Sequence, residues 1–340
     1  MTYNKFELVE ACVQLVKNEE QVKNYAMSKG HDADQKIREA FFEIMGTEKP
    51  TRKDIRRHKV EIFEIIEEVL TETYLNGVNE DEFFMQFAEV KNLALGDTNE
   101  FYVEDTAVLT VSEHSAGHWN IDRQKVEGGT FFPVKVKSYA IAVYGDFYLF
   151  LTGRLSFGKL VAKVAQAVQN KIYEEVAASF ASTTAQLPTE FKESGNYAED
   201  VLQKLYAHVE AVSGSAVVVG TRAAISKVMA GANSAMFTEA MKGEMNAKGY
   251  VGIINGMNVA QLPTVHKKNT FEFAYNDAQL LVLPANGTAP IKLIFEGDDE
   301  MKETTDNTKN VDMSFDYSFI TRFGCATVFD GGIFGVYDLI

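Results

Sequence analysis

Between Phe157 and Phe180 the chain reads FGKLVAKVAQAVQNKIYEEVAASF. Val161, Val164, Val168, Ile172, Val176 and Phe180 recur at steps of three and four, the spacing that lines one face of an α-helix. At 1.5 Å per residue the segment spans about 36 Å. A helix this long hides its apolar face only if the rest of a domain is laid against it. The segments just upstream are TFFPVKVKSYAIAVY (130–144) and, before it, HWNIDRQKVEGG (118–129). In the former, Val134 and Val136 alternate with Lys135 and Lys137, which describes a strand with one wet side. Pro133 suits an edge or an exposed arm. With FYVEDTAVLTV (101–111) as the other leg, these residues predict a long β-hairpin whose tip carries the chain's one Trp and a Gly pair. A tip so charged buries little in its own fold. Either it is an idle loop or its partner is another molecule.

The first hundred residues read as helices. Phe6, Val9, Val13 and Val16 share one face, and a second short helix is predicted over Ala33 to Met45. In PTRKD, Thr51 is a candidate N-cap and Asp54 completes a capping box. Ile62, Ile66, Val69 and Thr73 then form a stripe that Asn76-Gly77 is expected to end. Asp81 to Asn92 is read as one or two further turns. Beyond Tyr197 the pattern mixes helix and strand: NYAEDVLQKLYAHVEAV, SAVVVG, TRAAISKVMAG, MFTEAMKGEMNAKG, YVGIING, MNVAQLPTV, AQLLVLPA and PIKLIFEG. EGDDEMKETTD reads as a solvated loop. MSFDYSFITRFGCATVFDGGIFGVYDLI reads as a strand pair broken at Gly324 and Gly331-Gly332.

Composition narrows the function. Hydrophobic residues make up 46% of 340, so a core can form. A net charge of -15 argues against gripping nucleic acid, which needs clustered Lys and Arg. Cys12 and Cys325 show neither a disulfide framework nor ligand spacing, which fits a reducing compartment. No secretory leader is evident in MTYNKFELVEACVQLVKNEE, and no apolar run approaches the roughly 18 residues that cross a bilayer. A soluble protein used inside a cell is expected, without a membrane partner.

The candidates for chemistry are weak. His114 and His118 are four apart, but SAG between them and Trp-Asn after them do not read as helix, so two exposed loop histidines are the better reading. VVVGTRAAIS is strand, Gly and helix without either phosphate-loop spacing. RKDIRRHK contains Arg52, Arg56 and Arg57; it reads as a solvated helix face or a protein contact. No nucleophile elbow, HExxH or paired CxxC is present. No catalytic residue, cofactor or metal is expected, and the weight moves to an assembly role.

The order of elements then carries more than any motif. A helical N-terminal segment, a protruding hairpin, a long helix, a compact α/β unit and returning strands resemble the major capsid proteins of tailed bacteriophages, the Hong Kong ninety-seven fold. The resemblance covers roughly residues 95 to 340. YVGIINGMNVAQLPTV resembles the strand pair of that family's axial domain. PIKLIFEGDDEM resembles the strand leading back to its peripheral domain, and FDYSFITRFGCATVFDGGIFGVYDL its closing strands. The resemblance implies an α+β fold in five parts: a helical arm (1–95), an extended loop with its legs (96–145), a spine helix with the peripheral domain (146–196), an axial domain (197–290) and returning strands (291–340). It implies a structural, non-enzymatic protein that assembles as hexamers and pentamers of itself into an icosahedral virion capsid in the host bacterial cytoplasm. Scaffolding, portal and decoration proteins would be further partners, with double-stranded DNA nearby but not bound by sequence. The hairpin tip, Trp119, Asp122, Arg123, Lys125 and Glu127, would contact a neighbouring subunit, and Lys125 stands where some relatives form an isopeptide cross-link. Arg52, Arg56 and Arg57 would make contacts from a retained arm that clasps neighbours; a fused, removable scaffold is the other reading of that segment.

Competing readings are an encapsulin-type compartment shell, a nucleotide-binding α/β enzyme built on SAVVVGTRAAI, and a tail or tube protein, for which more strands and no long helix would be expected.

Overall fold

The computed structural model describes residues 5–21, 27–103, 111, 123–125, 128–144, 157–231, 237–267, 270–285, 289–304, 316–328 and 333–340. The chain opens with α1 (Lys5–Gln21), α2 (Met27–Met45), α3 (Arg52–Arg57), α4 (Lys59–Asn79) and α5 (Glu82–Phe87). On α1, Val9, Val13 and Val16 are buried together with Leu8, Cys12 and Leu15. Phe6, expected on the same face, is 70% exposed; at about 100° per residue it lies at the rim of that face. The α3 capping box forms as the sequence predicts, with the Thr51 backbone N–H and hydroxyl both donating to Asp54 Oδ2, at 3.0 and 2.6 Å. Asp81 caps α5, accepting from the N–H groups of Phe83 and Phe84.

Next come β1 (Ala88–Leu93), β2 (Glu100–Val103), β3 (Thr130–Pro133), β4 (Lys137–Tyr144) and the long helix α6 (Phe157–Thr184). Every member of the α6 stripe is buried. The helices α1 and α4 lie against α6, and their apolar faces share one core with it. The expected arm reaching for neighbours is therefore corrected for α1 and α4: their apolar residues are already covered by their own chain. The predicted stop at Asn76-Gly77 is also corrected, since α4 continues to Asn79. A Cβ on Gly77 would fall 1.7 Å from Nε2 of Gln169 on α6, so this glycine serves the close crossing of two helices. Tyr173 of α6 donates to the α5 cap, Asp81 Oδ2, at 2.5 Å.

After a 3-10 turn (Thr189–Phe191) follow β5 (Lys192–Gly195), α7 (Glu199–Ser213), β6 (Ala216–Gly220), α8 (Arg222–Gly231), α9 (Glu239–Lys248), β7 (Ile253–Ile254) and β8 (Met257–Gln261). Asn255 and Gly256 take positive φ of 47° and 83°, the turn that Asn-Gly favours between β7 and β8. The last strands are β9 (Gln279–Pro284), β10 (Ile291–Glu296), β11 (Glu300–Thr304), β12 (Asp316–Thr327) and β13 (Gly335–Leu339).

Two main sheets result. In one, β1, β10, β12 and β11 are neighbours, and β4 takes the other edge of β12. The twelve residues of β12 pair with β10 at one end, β11 at the other, and β4 along the opposite side. The other sheet runs β5-β13-β9-β6-β8-β7. In β6, Val217 and Val219 face the main core while Ala216 and Val218 face a second core under α7 and α8, so all five residues are buried. Three readings are revised. The segment 88–93 is a strand parallel to β10, not a helical turn. Part of the acidic stretch is β11, held near α4 because Thr71 and Tyr74 hydroxyls donate to Asp299 at 2.6 and 2.7 Å. The two closing strands do not pair: β12 passes unbroken through Gly324, and β13 joins β5 and β9, where the Tyr337 hydroxyl donates to Asn196 O and accepts from the Ala198 N–H.

Candidate assembly interface

The hairpin expected from the sequence starts where β2 and β3 pair antiparallel, Glu100 opposite Pro133 and Val103 opposite Thr130. Period-2 alternation splits this ribbon into two faces. Phe101 turns inward, fully buried, and packs with Val134 and Ile294. On the other face Tyr102 and Phe131 are opposite one another, 49% and 67% exposed, with ring centroids 5.5 Å apart. Tyr102 is also tied back, since the Gly129 N–H donates to its hydroxyl at 3.1 Å. A Cβ on Gly129 would lie 2.1 Å from the Val103 carbonyl oxygen, so the return leg needs glycine here.

Beneath Phe101 lies Lys292, fully buried in β10. Its ammonium sits 5.3 Å from the Phe101 ring centroid and pairs with Glu89, its cross-strand partner on β1. Lys91 covers the same ring at 4.1 Å, donates to the Glu100 carbonyl and lies 3.7 Å from Glu89. An unpaired ammonium cannot rest in such a place, whereas one held by a carboxylate and an aromatic face can. The approach to β2 is fixed as well, because Glu296 accepts from the Gly96 N–H at 3.1 Å and from Asn99 Nδ2 at 3.3 Å. The ribbon is thus rooted on one face and bare on the other.

The return leg is braced further down. Glu175 on α6 accepts from Lys137 and Lys171, each at 3.1 Å, and from the Tyr139 hydroxyl. Burial alone would raise the Glu175 pKa, but these hydrogen bonds outweigh it and hold it below 4.5. A carboxyl whose folded pKa is depressed adds stability above the ordinary carboxylate range and loses it as pH falls through the folded value. Glu175→Gln is expected to cost about 1–2 kcal/mol at pH 7. The gap to the unsubstituted chain should close below about pH 3 in thermal unfolding; a gap that is the same at both pH values would refute the brace.

Of the tip residues proposed from the sequence, Arg123 and Lys125 are exposed, two apart in an irregular stretch between the legs. Trp119, Asp122 and Glu127 lie outside the described residues, as do His114 and His118. On α3, Arg57 is exposed, while the side chains of Arg52 and Arg56 are outside the description. The VVVGTRAAIS turn is closed by its own residues. The Thr221 hydroxyl accepts from the Ala224 N–H at 3.3 Å, and a Cβ on Gly220 would meet Leu280. The start of α8 is capped from within, which leaves the phosphate reading without support. Sequence reasoning missed Glu89 and Lys292; the visible signal was a single Lys inside the apolar run PIKLIF. Among the described residues no group of acidic, His or Cys side chains could hold a metal ion. No helix among them is long and apolar enough to cross a membrane.

Solved structures share this arrangement at low sequence identity. One from Microbacterium phage Oxtober96 is 13% identical, with a TM-score of 0.50 over 76% of this chain and 91% of that one. The satellite phage P4 procapsid, including size determination (Sid) protein, gives 8% identity and 0.49 over 79% and 90%. The virus-like particle from Pyrococcus furiosus gives 12% and 0.45 over 82% and 100%. The likeness is one of fold, the Hong Kong ninety-seven type. No curated protein matches the chain. Residues 8–337 match the family described as "SPbeta prophage-derived putative capsid protein YonB", and the chain belongs to that family of capsid proteins.

Proposed function

We propose that this chain self-assembles into the icosahedral shell of a tailed phage around a double-stranded DNA genome, its hairpin lying over a neighbouring copy. The family gives the coarse part, a structural, shell-forming role in the virion capsid. The observation that supports the finer reading is the two-faced ribbon. Phe101 and Lys292 hold its inner face to the body, while Tyr102 and Phe131 present a large apolar pair to the outside. Such residues contribute chiefly once a second surface covers them, so their stabilisation belongs to the assembly. In this reading the five-stranded sheet with α6 is the peripheral body and the six-stranded sheet with α7 and α8 the axial body. Arg123, Lys125 and the rest of the tip, Trp119, Asp122 and Glu127, then touch the neighbour, with Arg57 and its companions Arg52 and Arg56 as a second contact. A net charge of -15 suits a container whose packaged DNA must slide without sticking. Scaffolding, portal and decoration proteins are the further partners this reading entails, and assembly takes place in the host cytoplasm.

The experiment is expression of the full chain followed by sedimentation and electron microscopy. Closed particles or capsomer rings are expected, and a chain that stays monomeric at high concentration would defeat the reading. Nucleic acid inside the particles favours a virion, and a cargo enzyme favours a compartment. Tyr102→Ser with Phe131→Ser should leave the unassembled chain's unfolding within about 0.5 kcal/mol of the original, because both rings are exposed. Particle yield should fall about tenfold or more, the result of losing about 1.4 kcal/mol per contact. An unchanged yield would show that these rings face no neighbour.

A further inference from the structure

The sheet built on β12 has two edges, and they are defended differently. The edge strand β1 carries Glu89 and Lys91, charges of the kind that keep a strand from pairing with another chain. The opposite edge is β4, KSYAIAVY: eight residues, no proline, and one charge at its first position. Among the described residues its outer side has no strand partner. A cavity of about 770 Å³ opens alongside, lined by Tyr139, Ala140, Ile141 and Ala142 in succession and floored by Val168, Phe319 and Phe323. Side chains alternate along a strand, so a cavity that touches four consecutive residues runs along the strand's edge and not over one face alone. An unguarded edge with an apolar trough beside it fits an added strand, whose backbone satisfies the free N–H and C=O groups.

The sequence says which strand. Around Ile141 the residues read Ala-Ile-Ala in both directions, flanked by Tyr139 and Val143. In an antiparallel self-pair centred on Ile141, Ala140 stands opposite Ala142 of the second copy, and Ile141 opposite the second copy's Ile141. Lys137 falls beyond the paired span, so no like charges meet. Ala140 and Ala142 are exposed, and their small side chains leave room on the outer face. Ile141 is on the trough side, where the second copy's Ile141 would meet the apolar floor. We infer that the free edge of β4 pairs with β4 of a second copy across a two-fold axis, joining two sheets into one. The identity of the partner rests on the shell reading, since a shell surrounds every such edge with copies of the same chain. A two-fold contact of this kind is self-complementary, as the near-palindrome requires.

Cysteine trapping tests it on the full chain. Directly opposed side chains in an antiparallel pair have Cβ atoms about 5 Å apart, whereas diagonal ones are about 7–8 Å apart. A disulfide needs the closer spacing. Under mild oxidation Ala140→Cys with Ala142→Cys should give about tenfold more disulfide-linked dimer than either single variant. Mixing the two single variants should restore the cross-link, and the unsubstituted chain, whose Cys12 and Cys325 lie within the fold, is the background control. Particles that form without the cross-link would overturn the strand pair and leave the shell reading standing. Dimers that cross-link without particles would support the pair and defeat the shell. Neither particles nor cross-links would overturn both.

Discussion

Glu89→Ala is expected to be among the most damaging single changes in this chain, costing about 3 kcal/mol. The carboxylate it removes is the partner of Lys292, whose side chain has no exposure at all. Losing one member of a buried pair strands the other charge, and typical costs are about 3–5 kcal/mol. The lower end applies because the Glu89 side chain is 42% exposed, so water can take part of its place. Lys292→Met with Glu89→Gln is the informative control. It removes the charges together and keeps the volume, and such swaps are often neutral or better. Urea unfolding of the unassembled chain is the right measurement, since assembly would add its own stabilisation. A single Glu89→Ala variant within about 0.5 kcal/mol of the original would mean that Lys292 finds another partner or gives up its proton.

The second large effect is expected at Gly324. A Cβ there would fall 2.6 Å from the Lys135 carbonyl oxygen, 3.0 Å from its carbon and 3.1 Å from Val134 Cγ1. Two of these atoms are backbone of the hairpin's return leg, which crosses β12 at this point. Gly324→Val should cost about 3 kcal/mol, the upper range for overpacking, and should free the leg for proteolysis. Gly77→Ala makes the contrast. There the obstacle is the end of the Gln169 side chain, which can swing aside, while alanine gains up to about 1 kcal/mol of helix propensity. If Gly324→Val and Gly77→Ala prove equally mild, the return leg does not cross where the coordinates place it.

What the sequence made legible follows from where each signal lives. The α6 stripe, the Thr51 capping box and the Asn255-Gly256 turn are local devices, and local spacing reveals them. The strand β1 was hidden because Glu89 and Lys91 alternate on an edge and pair with a residue about 200 positions away, information no window contains. β11 was hidden for a related reason: its acidic approach looks solvated until Thr71 and Tyr74 supply hydroxyls from α4. Gly77 and Gly324 read as breaks, yet each marks a close approach by another element. The two-faced hairpin root was half visible. The alternation predicted one wet side, but not that Phe101 would seal a buried lysine while Tyr102 and Phe131 stayed bare.

The parallel pairing of β1 with β10 also has a consequence for how the molecule is made on the ribosome. Glu89 and Lys292 are separated by 203 residues. At about 5–20 residues per second, the strand that seats β1 emerges some 10–40 s after β1 itself. Throughout that interval the sheet can receive no N-terminal strand, and the oldest part of the nascent polypeptide waits on the youngest. Completion of the subunit is thereby tied to near-completion of its synthesis, and a polypeptide truncated before Ile291 has nowhere to lodge its first strand.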